Sequence, residues 1–353
     1  MNREKMMSEM MKRIVLASRP TGAPSDENFR LETGPVPAPA EGEILVRVTA
    51  MSLDPYMRGR MDDAKSYAQP VPVGGTMEGG SVGQVIASNS PHFKLGDWAF
   101  GMFGWATHSV QNAKLCRKLD PSQVPVNTAL GVLGMPGFTG WFGLMEYGKP
   151  KAGETLVVAA ATGPVGSMVG QVAKSMGLRV IGIAGGAEKC RMAVEEFGFD
   201  ACLDHRAHAD AKELRAALQE ACPKGVDIYF ENVAGKVLEA VMPLMNVGGR
   251  IPVCGMISWY NEGGLGMNAG GAKDQLPKMW RTILVNRLHV HGFIISDHWA
   301  RFPEFLGTVA PMVADGRVKY VEDIAEGLEA APQAFMGMLL GKNRGKQIVK
   351  IAD

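Results

Sequence analysis

The sequence predicts an α/β chain in two parts, a β-rich first third followed by a doubly wound parallel sheet. Three observations carry this prediction. The first is a run of short apolar strands with glycine turns between Arg13 and Leu119. The second is a regular alternation of strand-like and helix-like segments after residue 150, the βαβα order of a parallel sheet. The third is the stretch Leu156–Gly166 (LVVAAATGPVG), an apolar strand running into a glycine turn with a periodic segment after it. Val165, Met168, Val169, Val172, Ala173 and Met176 recur at i, i+3, i+4 spacing, and Gly177 ends the helix they predict.

At 353 residues, 46% hydrophobic and 21% charged, the chain has ample core for two domains. A net charge of +1 gives no electrostatic case for nucleic acid or an anionic membrane as partner. The five cysteines are scattered and contain no C-x-x-C, so neither a disulfide framework nor a structural zinc lobe is expected, and a reducing, cytoplasmic setting is the simplest reading. No apolar run is long enough to span a membrane. The opening MNREKMMSEMMKR is charged throughout and lacks the apolar core of a signal peptide; it reads as a loose tail.

In order along the chain, strands are predicted at Ile14–Ala17, Glu43–Ala50, Gly79–Ala87 and Asp97–Phe103, with the proline-spaced 34–39 as a stiff extended loop and no helix-length periodicity. Thr128–Met145 is apolar and glycine-rich and predicts close-packed helices bridging into the second part. Beyond the glycine turn come strand Arg179–Ala184, helix Glu188–Phe197, strand Ala201–Leu203 and a helix around Leu214–Cys222. Strand Val226–Phe230, helix Lys236–Met245 and strand Arg250–Gly255 follow, then an apolar strand His289–Ile295. A helix at Phe302–Val313, a strand at Val318–Val321, a helix at Ala331–Leu340 and a strand at Lys346–Ile351 complete the pattern. The domains expected are 1–130, 131–313 and a C-terminal segment, 314–353, that returns to the first. Trp259–Lys273 reads as a mobile glycine-rich loop.

The glycine turn at Gly163, Pro164, Val165 and Gly166 is an A-x-x-G-x-x-G variant of the dinucleotide fingerprint, placing backbone N–H groups at a helix N-terminus where a pyrophosphate binds. The competing reading is a βα turn whose glycines serve packing alone. An NAD-selective site needs an acid at the end of the second strand. Here that strand ends in Ile183–Gly186 without one, and Lys189, Arg191, His205 and Arg206 follow, which favours NADPH. Glu188 runs against this, although a glutamate at a helix start also has a capping role.

Two tyrosines stand out. Tyr260 opens the glycine-rich loop after strand Arg250–Gly255, at the carboxyl end of the sheet, and Tyr56 lies in a turn-like break after the strand ending at Ala50. A phenol so placed donates a hydrogen bond to a carbonyl oxygen that becomes an enolate; the alternative for each is a half-buried aromatic with a satisfied hydroxyl. His289 and His291 alternate onto one strand face, but no third ligand lies nearby in sequence, and no metal site is expected. Tyr147–Lys151 has Tyr-x-x-x-Lys spacing but contains Gly148 and Pro150, which disfavour the helix that motif requires.

The segments LDPYMR, LGVLGMPGFTGWFGL, AAATGPVGSMVGQVAK, DIYFENVAGKVLEAVMPLMNVGGRIPVCGMIS and GLEAAPQAFMGMLLGKN together resemble the zinc-independent medium-chain dehydrogenase/reductases. Within them the chain is similar to the leukotriene B4 12-hydroxydehydrogenase/prostaglandin reductase and alkenal double-bond reductase family. LDHR and IPVCG look most like its bacterial curcumin-reductase branch. The resemblance implies a GroES-like β domain plus a Rossmann domain, a homodimer, and NADPH-dependent reduction of the C=C bond of enones and alkenals. It implies pyrophosphate contacts at Gly163–Gly166, 2′-phosphate contact at Lys189, and further cofactor contacts at Asn232, Cys254, Ser258, Tyr260, Phe293, Ile294, Ile295 and Asn343, with His205 at the ribose-phosphate position; Arg206 beside it is a cofactor candidate from its charge. His205 stands where animal members carry tyrosine; Arg344 and the glycine-rich loop also depart from the family pattern. A quinone reductase of the same superfamily and a non-catalytic NADPH-binding protein are the alternatives.

Overall fold

The apolar run ahead of the glycine turn forms a strand, Thr155–Ala159 (β1), in which every side chain is buried. Burial on both faces is what a central parallel strand requires, because helices cover the sheet on each side. The strands Arg179–Ala184 (β2), Ala201–Asp204 (β3), Val226–Phe230 (β4), Met245–Val253 (β5) and His289–Gly292 (β6) follow along the chain. All pair in parallel, in the spatial order β3-β2-β1-β4-β5-β6. Strand order therefore reverses between β1 and β4, the switch point at which such sheets open to a ligand beyond their carboxyl ends.

The crossovers are the helices Pro164–Ser175 (α1), Ala187–Glu195 (α2), Ala211–Ala221 (α3), Gly235–Val241 (α4) and Leu276–Asn286 (α5). One face of the sheet packs Val157, Ile181 and Ile251 against Leu214 and Leu218 of α3 and Val237 and Val241 of α4. Before β1, the helix Met135–Phe142 continues into a wider π turn, Gly143–Gly148, the bridge expected from Thr128–Met145.

The computed structural model describes residues 10–263 and 276–352, and these divide into two compact units. The parallel sheet belongs to the unit made of residues 132–260 and 276–321. The other unit contains residues 10–131, 261–263 and 322–352. Its main sheet runs Glu322–Glu326, Lys346–Lys350, Glu43–Ser52, Ser81–Ser88, Trp98–Gly101, Arg117–Leu119, with His108–Asn112 pairing alongside Glu43–Ser52. The C-terminal strand is integral to it, Ile348 facing Ser52 and Lys350 facing Ala50 in antiparallel register. Met10–Leu16 and Phe29–Pro35 form a separate antiparallel ribbon.

Several expectations are corrected. Val318–Val321 is not a strand; the strand is Glu322–Glu326, at the sheet edge. Gln171 claims the backbone instead, accepting from Lys319 N at 2.8 Å and donating to Lys319 O at 2.9 Å. The turn expected at Tyr56 is a short helix, Tyr56–Arg60. The helix predicted to Met245 ends at Val241 and passes through a 3-10 turn at Met242–Leu244, where Pro243 removes a donor. The strand predicted to Ile295 stops at Gly292. Strands Phe29–Pro35, His108–Asn112 and Arg117–Leu119 and helix α5 were not predicted. Most of the glycine-rich 259–273 stretch lies outside the described residues; its first part, Ile257–Glu262, is a 3-10 turn.

Candidate dinucleotide site

Between β1 and α1 the chain reverses within four residues. Ala160 takes a left-handed φ of 51°, and Gly163 N donates to Ala160 O at 3.0 Å. A methyl group at Gly166 would lie 2.3 Å from Ala160 O, so the third fingerprint position must be glycine for helix and turn to touch. Pro164 opens α1, where a missing donor costs nothing. The first N–H groups of such a helix have no intrahelical acceptor, a chemistry that suits a pyrophosphate. Gly163, Pro164, Val165 and Gly166 thus share one turn at the start of α1.

The next feature is a basic corner over the tip of β2. A methyl group at Gly185 would come within 2.9 Å of Arg206 Nε and 3.1 Å of His205 Nε2, so both side chains lie across that glycine. Lys189 is carried on the first turn of α2, whose N-cap is Gly186. Asp204, at the end of β3, is tied to backbone amides. Its Oδ1 accepts from Gly186 N at 2.8 Å and Arg206 N at 2.9 Å. Burial works against ionisation, yet those two amides hold its carboxyl below the ordinary range. Lys236 Nζ donates to the carbonyls of His205 and His208, both at 2.8 Å. Burial, then the charges of Lys236 and Arg206, keeps the His205 imidazole below its ordinary 6.5.

Beyond β4 and β5 a second cluster forms. Asn232 Nδ2 donates to Ala159 O at 2.8 Å, joining the ends of β4 and β1 across the switch point. Ser258 Oγ donates to Val233 O at 2.5 Å. Cys254 N donates to Glu231 O at 2.9 Å; burial, and then Glu231, pushes the Cys254 thiol up to about 12. The phenol of Tyr260 folds back over the end of β5 and accepts from Met256 N at 3.4 Å. Asn232, Cys254, Ser258 and Tyr260 are therefore gathered on one side of the sheet's carboxyl end.

At the centre of that cluster is a residue sequence reasoning missed. Glu231 is 2% exposed, and its Oε1 accepts from Val233 N at 2.6 Å and Ala234 N at 2.8 Å. It pins a turn in which Ala234 has a φ of 68°. Burial pushes the Glu231 carboxyl above its ordinary range despite those amides. The available signal was an acid closing the otherwise apolar run Ile228–Phe230.

Phe293 turns inward, with ring centroids 5.4 Å from Tyr147 and 6.2 Å from Phe142. His291 stacks on Tyr147 at 3.9 Å. Among the described residues no group of three His, Cys, Asp or Glu side chains is arranged to hold a metal ion.

In the other unit, Tyr56 is half-buried on its short helix. Arg60 lies over its ring at 5.5 Å and over Tyr67 at 4.5 Å, and bonds Glu78 at 2.7 Å. Arg58 points the other way, wholly buried, bonding Asp62 at 2.6 Å and Gly22 O at 2.7 Å. Burial, then the carboxylates of Asp54 and Glu78, pushes the Tyr56 phenol well above its ordinary 10, so it remains a donor at neutral pH. Asp54 is itself held by Lys346 Nζ at 2.9 Å and by Ser52 Oγ. Asn343 Nδ2 donates to Gly345 O at 2.7 Å, closing its own turn.

Two family profiles match the sequence, one described as "N-terminal domain of oxidoreductase" over residues 12–119 and one described as "Zinc-binding dehydrogenase" over residues 164–310. The chain is 51% identical over 342 residues to the NADPH-dependent curcumin reductase of Escherichia coli, covering 97% of each protein. It is 38% identical over 346 residues to the NADP(+)-dependent 2-alkenal reductase of Nicotiana tabacum, covering 97% of each. Among solved structures, CurA of Vibrio vulnificus in complex with NADPH matches with a TM-score of 0.89 and 47% identity, over 97% of this chain and 99% of that one. A shared fold, a shared fingerprint and this level of identity over nearly the whole length show that the chain belongs to the medium-chain dehydrogenase/reductase family, among reductases related to the curcumin, alkenal and prostaglandin enzymes.

Proposed function

We propose that this chain catalyses NADPH-dependent reduction of the C=C double bond of α,β-unsaturated ketones and aldehydes. The observation that carries the cofactor choice is the basic corner: His205 and Arg206 lie across Gly185, with Lys189 on the adjoining helix turn and Asp204 tied to backbone amides. A 2′-phosphate fits that corner, and the Ala160–Gly166 turn fits a pyrophosphate. When bound, NADPH supplies a hydride to the β-carbon of the enone. Asn232, Cys254, Ser258, the Phe293–Ile295 backbone and Asn343 are assigned to holding the dinucleotide. Tyr260 donates to the substrate carbonyl oxygen as negative charge develops there, and Tyr56, kept protonated, is a second donor. Such preorganised donors hold the oxyanion without a metal ion, and solvent protonates the α-carbon.

The test is steady-state oxidation of NADPH with an alkenal, a conjugated dienone and a quinone, each repeated with NADH. Saturated carbonyl product from the first two, at higher kcat/KM with NADPH, is the expected result. Consumption with the quinone alone transfers the assignment to quinone reduction, and NADPH binding without turnover removes the enzymatic one.

A homodimer is part of the same proposal. All four residues of β6 are exposed at the open edge of the parallel sheet, and on α5 Trp280 is 62% and Leu284 77% exposed. Pairing of two β6 edges would cover both. Sedimentation velocity distinguishes a dimer of 37.9 kDa chains from a monomer. All five cysteines are free, in keeping with the reducing cytoplasm proposed as its location.

A further inference from the structure

Two cysteines that the proposed reaction does not use lie side by side next to the basic corner. Cys190 is on the first turns of α2, one residue after Lys189; Cys202 is on β3, two residues before Asp204. Their thiols are hydrogen-bonded to each other, and both residues are half-buried. Room for the pair comes from β2, where Gly182 faces Cys202 in register: a methyl group there would lie 3.0 Å from Cys202 Sγ and 3.1 Å from the Phe199 ring. Among the described residues no third ligand completes a metal-holding group with them. A contacting thiol pair that joins a helix to a neighbouring strand, on residues that are only half-buried, is the arrangement of a redox-active dithiol.

We propose that Cys190 and Cys202 form a reversible intramolecular disulfide that lowers affinity for NADPH. The proposal rests on the 2′-phosphate being held by Lys189, His205 and Arg206. The thiols differ in reactivity: the hydrogen bond from Cys202 pulls Cys190 down, while Cys202 is pushed up. Cys190 is thus the attacking thiolate. With glutathione disulfide as oxidant, Cys190 displaces one glutathione as thiolate and forms a mixed disulfide. Cys202 then attacks the Cys190 sulfur, releases the second glutathione, and gives up its proton to solvent. Two thiols are oxidised and one glutathione disulfide is reduced to two glutathione molecules.

The consequence follows from where the bond falls. A disulfide requires its sulfurs at about 2.05 Å, closer than hydrogen-bonded thiols sit. Closing that gap moves the start of α2 against the end of β3, and these two segments carry Lys189 on one side and His205 and Arg206 on the other. Oxidation is expected to raise the Kd for NADPH about fivefold or more, a typical coupling between adjacent sites. By reciprocity, saturating NADPH raises by the same factor the ratio of oxidised to reduced glutathione needed to form the bond.

The experiment equilibrates the full-length protein in glutathione redox buffers, then quenches, digests with Glu-C and maps peptides without reduction. Wild type is expected to yield 189–195 joined to 197–213, and to show weaker NADPH binding by nicotinamide fluorescence, restored by dithiothreitol. Cys190→Ser and, independently, Cys202→Ser are each expected to abolish both effects, so one variant suffices if the other does not fold. Absence of the joined peptide at every ratio overturns the proposal, as does its presence with unchanged NADPH affinity. Lys189→Ala in the reduced protein tests the phosphate placement separately: loss of affinity there with no effect of oxidation overturns the switch alone.

Discussion

Asp204 holds the glycine turn of the neighbouring strand in place, its Oδ1 accepting from Gly186 N at 2.8 Å while it also accepts from Arg206 N at 2.9 Å. One carboxylate thus sets the distance between the start of α2 and the basic pair. Asp204→Ala leaves both amides without that acceptor and frees the loop that positions His205 and Arg206. At about 1–2 kcal/mol for charge-assisted bonds, the NADPH Kd is expected to rise about tenfold, with kcat at saturating cofactor within about twofold of wild type. Binding titrations and initial rates check both. A fall in kcat with unaltered Kd would contradict a role in cofactor binding.

Cofactor preference should reside in the charges across Gly185. Lys189→Ala and Arg206→Ala each remove one cation from the 2′-phosphate and take nothing from NADH. A hydrogen bond to a charged group contributes about 1.5–3 kcal/mol, so the ratio of kcat/KM for NADPH over NADH should fall roughly 10- to 100-fold in each variant. Arg191, exposed on α2, serves as the control and should change the ratio little.

The pH dependence of binding follows from His205. In the free protein its imidazole is held below 6.5, by burial first and then by Lys236 and Arg206, so it is neutral at pH 7. A phosphate placed against it favours the charged form and raises that value. A group whose pKa rises on binding contributes affinity that is present at low pH and lost as pH climbs through the bound-state value. NADPH affinity should therefore weaken as pH rises from the free-state value through the higher bound-state one, with proton uptake by His205 on binding, while NADH affinity stays nearly flat. His205→Asn should flatten the NADPH profile. Calorimetry in two buffers of different ionisation enthalpy measures the uptake; proton release would reverse the assignment.

Tyr260→Phe and Tyr56→Phe separate the two proposed donors. Loss of one oxyanion donor costs about 10²-fold in kcat where that donor contacts the developing charge. The expectation for Tyr260→Phe is a loss of that order in enone turnover with unchanged NADPH Kd. For Tyr56→Phe the kcat should also fall, since the phenol is kept protonated by burial and by Asp54 and Glu78. Unchanged turnover in either variant removes that residue from the chemistry.

What was legible in the sequence was what is local. The run Leu156–Gly166 shows strand, turn and helix within one window, and the structure realises all three because Gly166 must approach Ala160. The basic residues around residue 205 were legible as composition, but not the fact that Asp204 and Lys236 brace them, since those bonds join segments up to 31 residues apart. Val318–Val321 has strand-like side chains, yet Gln171, 148 residues away in the chain, takes its hydrogen bonds. Tyr56–Arg60 is too short for helical periodicity to register. Helix α5 was hidden behind the glycine-rich stretch before it, although Met279 and Ile283 pack on the core at helical spacing.

Glu231 gives the sharpest case of a residue visible only in three dimensions, and its removal should be felt twice. Glu231→Ala deprives the amides of Val233 and Ala234 of their acceptor in a turn where Ala234 already has a φ of 68°. Each orphaned amide costs about 1–3 kcal/mol, so the variant should lose roughly 2–6 kcal/mol of stability and, through Asn232 and Ser258, bind NADPH more weakly. Glu231→Gln keeps an acceptor of the same shape and should retain both. The two proteins then differ in pH response. Burial raises the folded-state value of Glu231 above its ordinary 4.5, so its favourable contribution is present in acid and is lost as pH rises from 4.5 through the folded value. The glutamine variant carries no such slope. Its Tm should therefore gain on wild type between pH 4.5 and neutrality, and a gain in the opposite direction would mean that the two backbone amides, rather than burial, set the charge state of Glu231.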